Sequence, residues 1–379
     1  MKVYFDNAAT TPIDQQVFEE MKPFMLEHYG NPSSIHSHGR KVRTAIERSR
    51  KKVAELLNAA PAEIFFTSGG TEADNTALRC TVSEKNIRHI ITSRVEHHAV
   101  LHTAESLERR GVKLSYVDLD DSGAVDYDHL ASLLKDSSDT MVSLMHGNNE
   151  IGNLLDLERV GDICKEHRAY FHSDTVQTMA HYVHDMEKLE LDFAVGSAHK
   201  FHGPKGIGFL YINHNNKIHP FIHGGAQERN MRGGTENVYG IVGLAKAMEI
   251  AYSGMDSHRK HIEALKSRMV EKLKERVDGV AFNGLSDNLE RSLYTVLNVC
   301  LPASGDNDML LFNLDIDGVS ASGGSACSSG SSIGSHVLAE LNRDQNRGAI
   351  RFSFSKYNTL EEVDYAVEKL AGLYQPETA

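Results

Sequence analysis

Lys200 stands between two histidines in Ser197-Ala198-His199-Lys200-Phe201-His202-Gly203-Pro204. The apolar run Phe193 to Val195 before it reads as a buried strand. Gly203-Pro204 is a turn signal, and Gly206-x-Gly208 leads into a second apolar run ending at Ile212. Small residues here let backbone come close to something. An isolated buried ammonium is costly. A Schiff base to an aldehyde cofactor removes that difficulty and uses lysine chemically, with serine and histidine nearby to bind a phosphate. Read alone, the stretch fits a surface lysine on a strand-turn-strand hairpin slightly better.

Further polar clusters fall at the ends of expected strands: Ser68 to Glu72 (SGGTE), Glu96 to Val100 (EHHAV), Asn148 to Gly152 (NNEIG), Ser173 to Gln177 (SDTVQ) and Ser197 to Lys200 (SAHK). In open α/β sheets ligands bind beyond the carboxyl ends of strands, so the five can converge. Singly each is weak: Asn148-Asn149 fits a turn, and Thr71 fits a helix cap. Jointly they suit pyridoxal 5′-phosphate (PLP). Gly70 and Thr71 at a helix start offer N–H groups and a hydroxyl to a phosphate. Asp174 can pair with a protonated pyridine nitrogen. Gln177 can donate to the ring's phenolate oxygen and His97 can stack on its face, while Ser197 and His199 complete a phosphate cup.

The elements that would position these clusters alternate. Strands are expected at 63–67, 89–93, 113–117, 140–145 and 169–173, with helices over 14–28, 40–57, from Thr71, 99–109 and 157–166. That order indicates a doubly wound, mainly parallel sheet. The basic charges of the 40–57 helix read as a solvated face. A helical stretch from Val238 to about Arg276, broken near Ser253-Gly254, carries the chain toward a second domain. That domain has expected strands at 293–300 and 349–355 and helices near 308–314, from His336 and over 360–374.

The 379 residues allow two domains, and 40% hydrophobic content allows a large core. With 40 basic and 52 acidic residues the net charge is −12, which argues against a general nucleic-acid binder. No stretch approaches a membrane span and no signal peptide is evident, so a cytoplasmic protein is expected. The four cysteines, Cys80, Cys164, Cys300 and Cys327, are far apart and form no CxxC pair. HExxH is absent, and the ligand-like spacings His181/His184, His199/His202 and His219/His223 fit scattered polar histidines; no metal is expected.

The motifs SGGTEADN, EHHAVL, NNEIG, SDTVQ, SAHKFHGPKGIG, GGAQERNMRGGTENV and SGGSACSSGS occur in the order found in cysteine desulfurases. The chain resembles these NifS-like enzymes of the class-V aminotransferase branch of fold-type-I PLP proteins from FDNAATTP near residue 5 to AIRFSFSKYNT near residue 359. The resemblance implies a large PLP-binding domain, residues 14–255, with a mainly parallel seven-stranded sheet between helices. It implies a smaller α/β domain from residues 1–13 and 256–379 that carries a cysteine loop. Lys200 would hold the cofactor as a Schiff base. Asp174, Gln177 and His97 would position the ring, and Gly70, Thr71, Ser197 and His199 the phosphate. Thr235 would reach the phosphate from the partner subunit of a homodimer. Asn149 and Arg351 would bind the substrate carboxylate, a pairing arginine geometry also favours.

Cys327 bears on reaction type. Its stretch, Ala321 to Ser335, has 11 serines or glycines in 15 residues, which fits a flexible linker or a mobile nucleophile loop. The other three cysteines fall in apolar patterns and read as core. The implied reaction removes sulfur from L-cysteine, giving L-alanine and a persulfide on Cys327 for a sulfur-acceptor protein, with His97 or another base near the thiol. The alternatives are a selenocysteine lyase, a small-substrate class-V aminotransferase, or a binding protein of this fold without turnover. The sequence departs from relatives where SSIGSHVL replaces an acidic-proline pair at Ile333-Gly334. Its tail after the last helix is also shorter than in relatives that dock an iron–sulfur scaffold, so a different acceptor, or none tightly bound, is expected.

Overall fold

A computed structural model describes residues 1–135, 137–304, 307–323, 334–341, 344 and 346–374. The chain opens with a short strand β1 (Val3–Tyr4), then helices α1 (Gln15–Leu26) and α2 (Ser37–Leu56). Asp14 caps α1 by accepting from the Gln16 N–H at 2.9 Å. Next come β2 (Ile64–Thr67), α3 (Gly70–Lys85), β3 (His89–Thr92), α4 (His98–Glu108) and β4 (Lys113–Tyr116). They are followed by α5 (Tyr127–Lys135), β5 (Thr140–Ser143), α6 (Leu157–Glu166), β6 (Tyr170–Ser173), β7 (Phe193–Ser197) and β8 (Gly208–Ile212). The helix α5 was not expected, because its apolar signal is confined to Leu130, Leu133 and Leu134.

Seven strands form one sheet in the order β2-β8-β7-β6-β5-β3-β4. β8 runs antiparallel to both neighbours, and the β7–β6, β6–β5, β5–β3 and β3–β4 pairs are parallel. Thus β2, β3, β5, β6 and β7 all end on the same edge. Alternation of side chains along each strand separates two apolar layers. Ile91, Val142, Ala194 and Phe209 pack with Val17, Ile46 and Val53 on one face. Ile90, Met141, Val195 and Leu210 pack with Ala73, Ala77 and Val100 on the other.

The long helices α7 (Val238–Ser253) and α8 (Met255–Arg276) break at Gly254, as the sequence indicates. Beyond them lie β9 (Ala281–Phe282), β10 (Val296–Ala303), α9 (Leu310–Ile316), β11 (Val319–Ser320), α10 (His336–Ala339), β12 (Arg347–Ser353) and α11 (Leu360–Gly372). β12, β10 and β9 make an antiparallel sheet, while β1 pairs with β11. Val3 and Phe5 share an apolar cluster with Leu265, Leu297, Phe352 and Val367. β10 begins three residues later than expected, because Leu293 instead donates to the Gly152 carbonyl at 2.7 Å and accepts from Lys266 at 2.7 Å.

The basic face of α2 requires a correction. Arg50 is buried, not solvated. Its Nη1 and Nη2 each donate to the Glu228 carboxylate at 2.8 Å, and Nη1 also donates to the Ile64 carbonyl at 2.7 Å. Arg50 falls on the stripe of Ile46 and Val53, so helical spacing turns it inward. The pair holds a segment in which Glu228, Arg229 and Asn230 all have positive φ (44°, 56° and 66°), a run that L-residues rarely adopt.

Candidate active site

The shared carboxyl edge of β2, β3, β5, β6 and β7 opens on a cavity of about 250 Å³. Gly70, Thr71, His97, Asn149, Asp174, Gln177, Ser197, His199, Lys200 and Arg351 line it. Thr235 lines a separate groove of about 170 Å³ with Ser68 and Arg232. Cys327 lies outside the described residues.

The β7–β8 hairpin exists, but Lys200 does not project from its surface. The turn Ala198–Lys200 sends Nζ inward, where it donates to the carbonyls of Ala8 at 2.5 Å and Ala9 at 2.9 Å. Gln177 Nε2 donates to the same Ala8 carbonyl at 3.0 Å. His199 Nδ1 lies 3.1 Å from Thr10 Oγ1. The glycines have a definite neighbour: a Cβ at Gly208 would stand 2.5 Å from the Gly196 carbonyl oxygen and 2.8 Å from Gly69 Cα. Only glycine lets β8 lie this close to the start of α3.

At that start, Gly69 has φ +156° and ψ −177°, a conformation reserved for glycine, and α3 has no side-chain cap. Its first N–H groups and its dipole are therefore open to an anion. Asp174 follows β6, is 5% exposed and accepts from the Val176 N–H at 2.9 Å. His97 caps α4, Nδ1 accepting from the Ala99 N–H at 3.1 Å, which leaves its proton on Nε2. Burial, then the Lys200, His336 and His102 charges, lower His97 against the opposing pull of Asp174, so it is neutral at neutral pH. Burial pushes His199 down to about 4, with Lys200 and Lys205 adding to it.

Arg351 reaches the cavity from β12 and is 1% exposed. Nη1 donates to the Asn149 carbonyl at 2.9 Å and Nη2 to Asp6 Oδ1 at 2.7 Å. Nε is buried without a hydrogen-bond partner. An orphan guanidinium donor in a cavity fits a carboxylate ligand.

Sequence reasoning missed three features. Ala8 and Ala9 contribute only carbonyls, which no residue type signals. Asp6 pairs with Arg351 across 345 residues. Asp74, one turn after Gly70, lines the cavity with Oδ1 unpartnered and 3.4 Å from His172 Nε2. Its place beside Ala73 and Ala77 on the buried stripe of α3 was the available signal. Burial, then the charges of Asp174 and Glu96, raise the Asp74 carboxyl well above the usual range. Glu96 is likewise raised by burial. The remaining cysteines are buried, and burial pushes Cys80 up to about 11 and raises Cys164 as well.

An uncapped helix start, a buried aspartate at a strand end, a neutral histidine and an inward lysine on one cavity fit the phosphate, ring nitrogen, ring face and aldehyde of PLP. They define a fold-type-I PLP enzyme. The chain belongs to the class-V aminotransferase family, whose pattern it matches over residues 3–366, and within it to the NifS-like cysteine desulfurases. It is 44% identical over 374 residues to cysteine desulfurase IscS of Dictyoglomus turgidum, covering 97% of this chain and 93% of that one. It is 43% identical over 375 residues to putative cysteine desulfurase IscS 1 of Bacillus subtilis, covering 98% of each. A solved NifS-like protein superposes with a TM-score of 0.90 at 42% identity, covering 98% of this chain and 99% of that chain.

Proposed function

We propose that this protein is a PLP-dependent cysteine desulfurase that takes sulfur from L-cysteine, releases L-alanine and holds the sulfur as a persulfide on Cys327. The observation that carries this reading is the opening of Lys200, Asp174, the uncapped α3 start and Arg351 onto one cavity.

When bound, the cofactor supplies an electron sink for the substrate's α-carbon. Gly70, Thr71, Ser197 and His199 hold its phosphate, and Asp174 pairs with its ring nitrogen. Gln177 bonds its phenolate oxygen and His97 covers its face. Arg351 and Asn149 orient the substrate carboxylate. Lys200 would hold the cofactor covalently, and its Nζ would move the substrate's α-proton. The Cys327 thiolate attacks the substrate sulfur. An S–S bond forms, the C–S pair stays with carbon, and protonation there gives alanine.

Thr235 belongs to the partner subunit's phosphate site in a homodimer. The exposed Ile13, Phe18, Met25, Leu26, Tyr29 and Ile35 are apolar surface that association would cover. Residues 14–255 act as the large domain, and 1–13 with 256–379 as the small one, in keeping with the apolar cluster that Val3 and Phe5 share with the C-terminal elements. The persulfide passes to an acceptor protein in the cytoplasm, for iron–sulfur cluster assembly or thiolation. Among the described residues no helix is long and apolar enough to cross a membrane.

The test is stoichiometric. Purified holoenzyme given L-cysteine should release alanine and, with a thiol reductant, sulfide in equal amounts. Mass spectrometry should find one extra sulfur on Cys327. A Cys327→Ala variant releasing sulfide at the unaltered rate would refute the assignment.

A further inference from the structure

We propose that Asp6 is a resident competitor of the substrate's carboxylate: it occupies Arg351 in the empty site and yields it when an α-carboxylate ligand arrives. This rests on the reading of Arg351 as the carboxylate binder.

The two ends of the pair are unequal. The Arg351 side chain is 1% exposed, whereas that of Asp6 is 21% exposed. Arg351 cannot return to water, and without an anion it would be a buried, uncompensated cation. Asp6 can hydrate by rotating its side chain alone. Its backbone is fixed by a parallel bridge to Ser353, and its carbonyl accepts from the Ala9 N–H at 3.0 Å and Tyr4 Oη at 3.1 Å. Arg351 is fixed too, since Nη1 is held on the Asn149 carbonyl and its backbone pairs with Ser322. One planar fork therefore has Nη1 engaged, Nη2 lent to Asp6 and Nε open. An arriving carboxylate that uses Nε and Nη2 together meets the Asp6 carboxylate at Nη2 and competes with it. Asp6 thus stabilises the empty site and weakens every ligand that carries an α-carboxylate, while leaving ligands without one unaffected.

The experiment uses Asp6→Asn, which keeps size and an acceptor oxygen but removes the charge. Absorbance of the bound cofactor in the holoenzyme is titrated with L-alanine and with L-alaninamide. The Kd for L-alanine should fall by about tenfold, the scale of one charge-assisted contact, and the Kd for the amide should not move. Thermal unfolding supplies a second readout: Asp6→Asn should be less stable without ligand and gain more from L-alanine than the wild type. Asp6→Glu, which retains the charge, should behave as the wild type in the titrations. Equal changes for both ligands, or no change for either, overturn the proposal. Arg351→Lys tests the underlying reading separately. It should weaken L-alanine and spare the amide; if it affects neither, Arg351 is not the carboxylate binder, whatever Asp6 does.

Discussion

His184 lies beneath the strand ends that carry the site, and its burial makes a quantitative acid sensitivity. It is 1% exposed. Nδ1–H donates to the Tyr182 carbonyl at 3.1 Å, so Nε2 is the acceptor facing Thr178 Oγ1 at 3.2 Å and His146 Nδ1 at 3.1 Å. The His146 backbone N–H donates to the Asp174 carbonyl at 3.0 Å. Burial pushes His184 down to about 4 against the opposing pull of Tyr182. Unfolded, it returns to about 6.5. The unfolded chain therefore holds the extra proton between about pH 4 and 6.5; the stability is complete above that window and declines as pH falls through it. At about pH 5 the loss from this one residue is roughly 2 kcal/mol, with a slope of roughly 1.4 kcal/mol per pH unit. The perturbation is His184→Gln, read as urea unfolding of the apoprotein from about pH 7 to about pH 5. The variant has a lower stability throughout, but its loss on acidification should be smaller than the wild type's by roughly 2 kcal/mol. An identical pH slope in the two proteins would refute the argument.

Two structural changes have separable outcomes. Arg50→Ala leaves the Glu228 carboxylate, 3% exposed, without its cation and should lower stability by about 3–5 kcal/mol in urea unfolding, with most of it recovered in an Arg50→Met/Glu228→Met double variant. The cofactor should also dissociate faster, because Glu228 anchors the turn that leads to Thr235. Gly208→Ala puts a Cβ against the backbone of Gly196 and Gly69. It should cost about 1–3 kcal/mol and weaken retention of PLP on dialysis, followed by absorbance, because Gly69 opens α3.

Much of the large sheet was readable because its strands are short apolar runs that end in small or polar residues. The same punctuation marked Gly70, His97, Asn149, Asp174 and Lys200, and topology explains why separate marks meet. One antiparallel strand, β8, lies between β2 and β7, so β2 points the same way as the other four. Helical spacing carried a further signal. It turned Arg50 and Asp74 inward, although the charges of the helix that holds Arg50 read as a solvated face. The short pairings of β1, β9 and β11 carry two residues each and leave no periodic trace. Cys327 was legible as a lone thiol in a glycine and serine stretch.

The N-terminal segment is the part of the site with the weakest sequence signal and the widest reach. Asp6 holds Arg351, the Ala8 and Ala9 carbonyls hold Lys200 Nζ, and Thr10 meets His199. Asn7 Nδ2 donates to the Ser353 carbonyl at 2.8 Å, and the Thr11 N–H to the His199 carbonyl at 2.9 Å. Six consecutive residues, Asp6 to Thr11, thus join the β12 strand to the β7–β8 turn, linking an arginine and a lysine 151 positions apart. Most of these contacts are backbone carbonyls or neutral groups, so no charge pattern reveals them. Their chemical effect is nonetheless specific. One segment thus holds both the arginine and the lysine of the cavity, the first through the Asp6 side chain and the second through the Ala8 and Ala9 carbonyls. A ligand that displaces Asp6 frees the side chain of the same segment whose carbonyls hold the Lys200 ammonium. Carboxylate recognition and lysine positioning therefore share one stretch of chain in this fold.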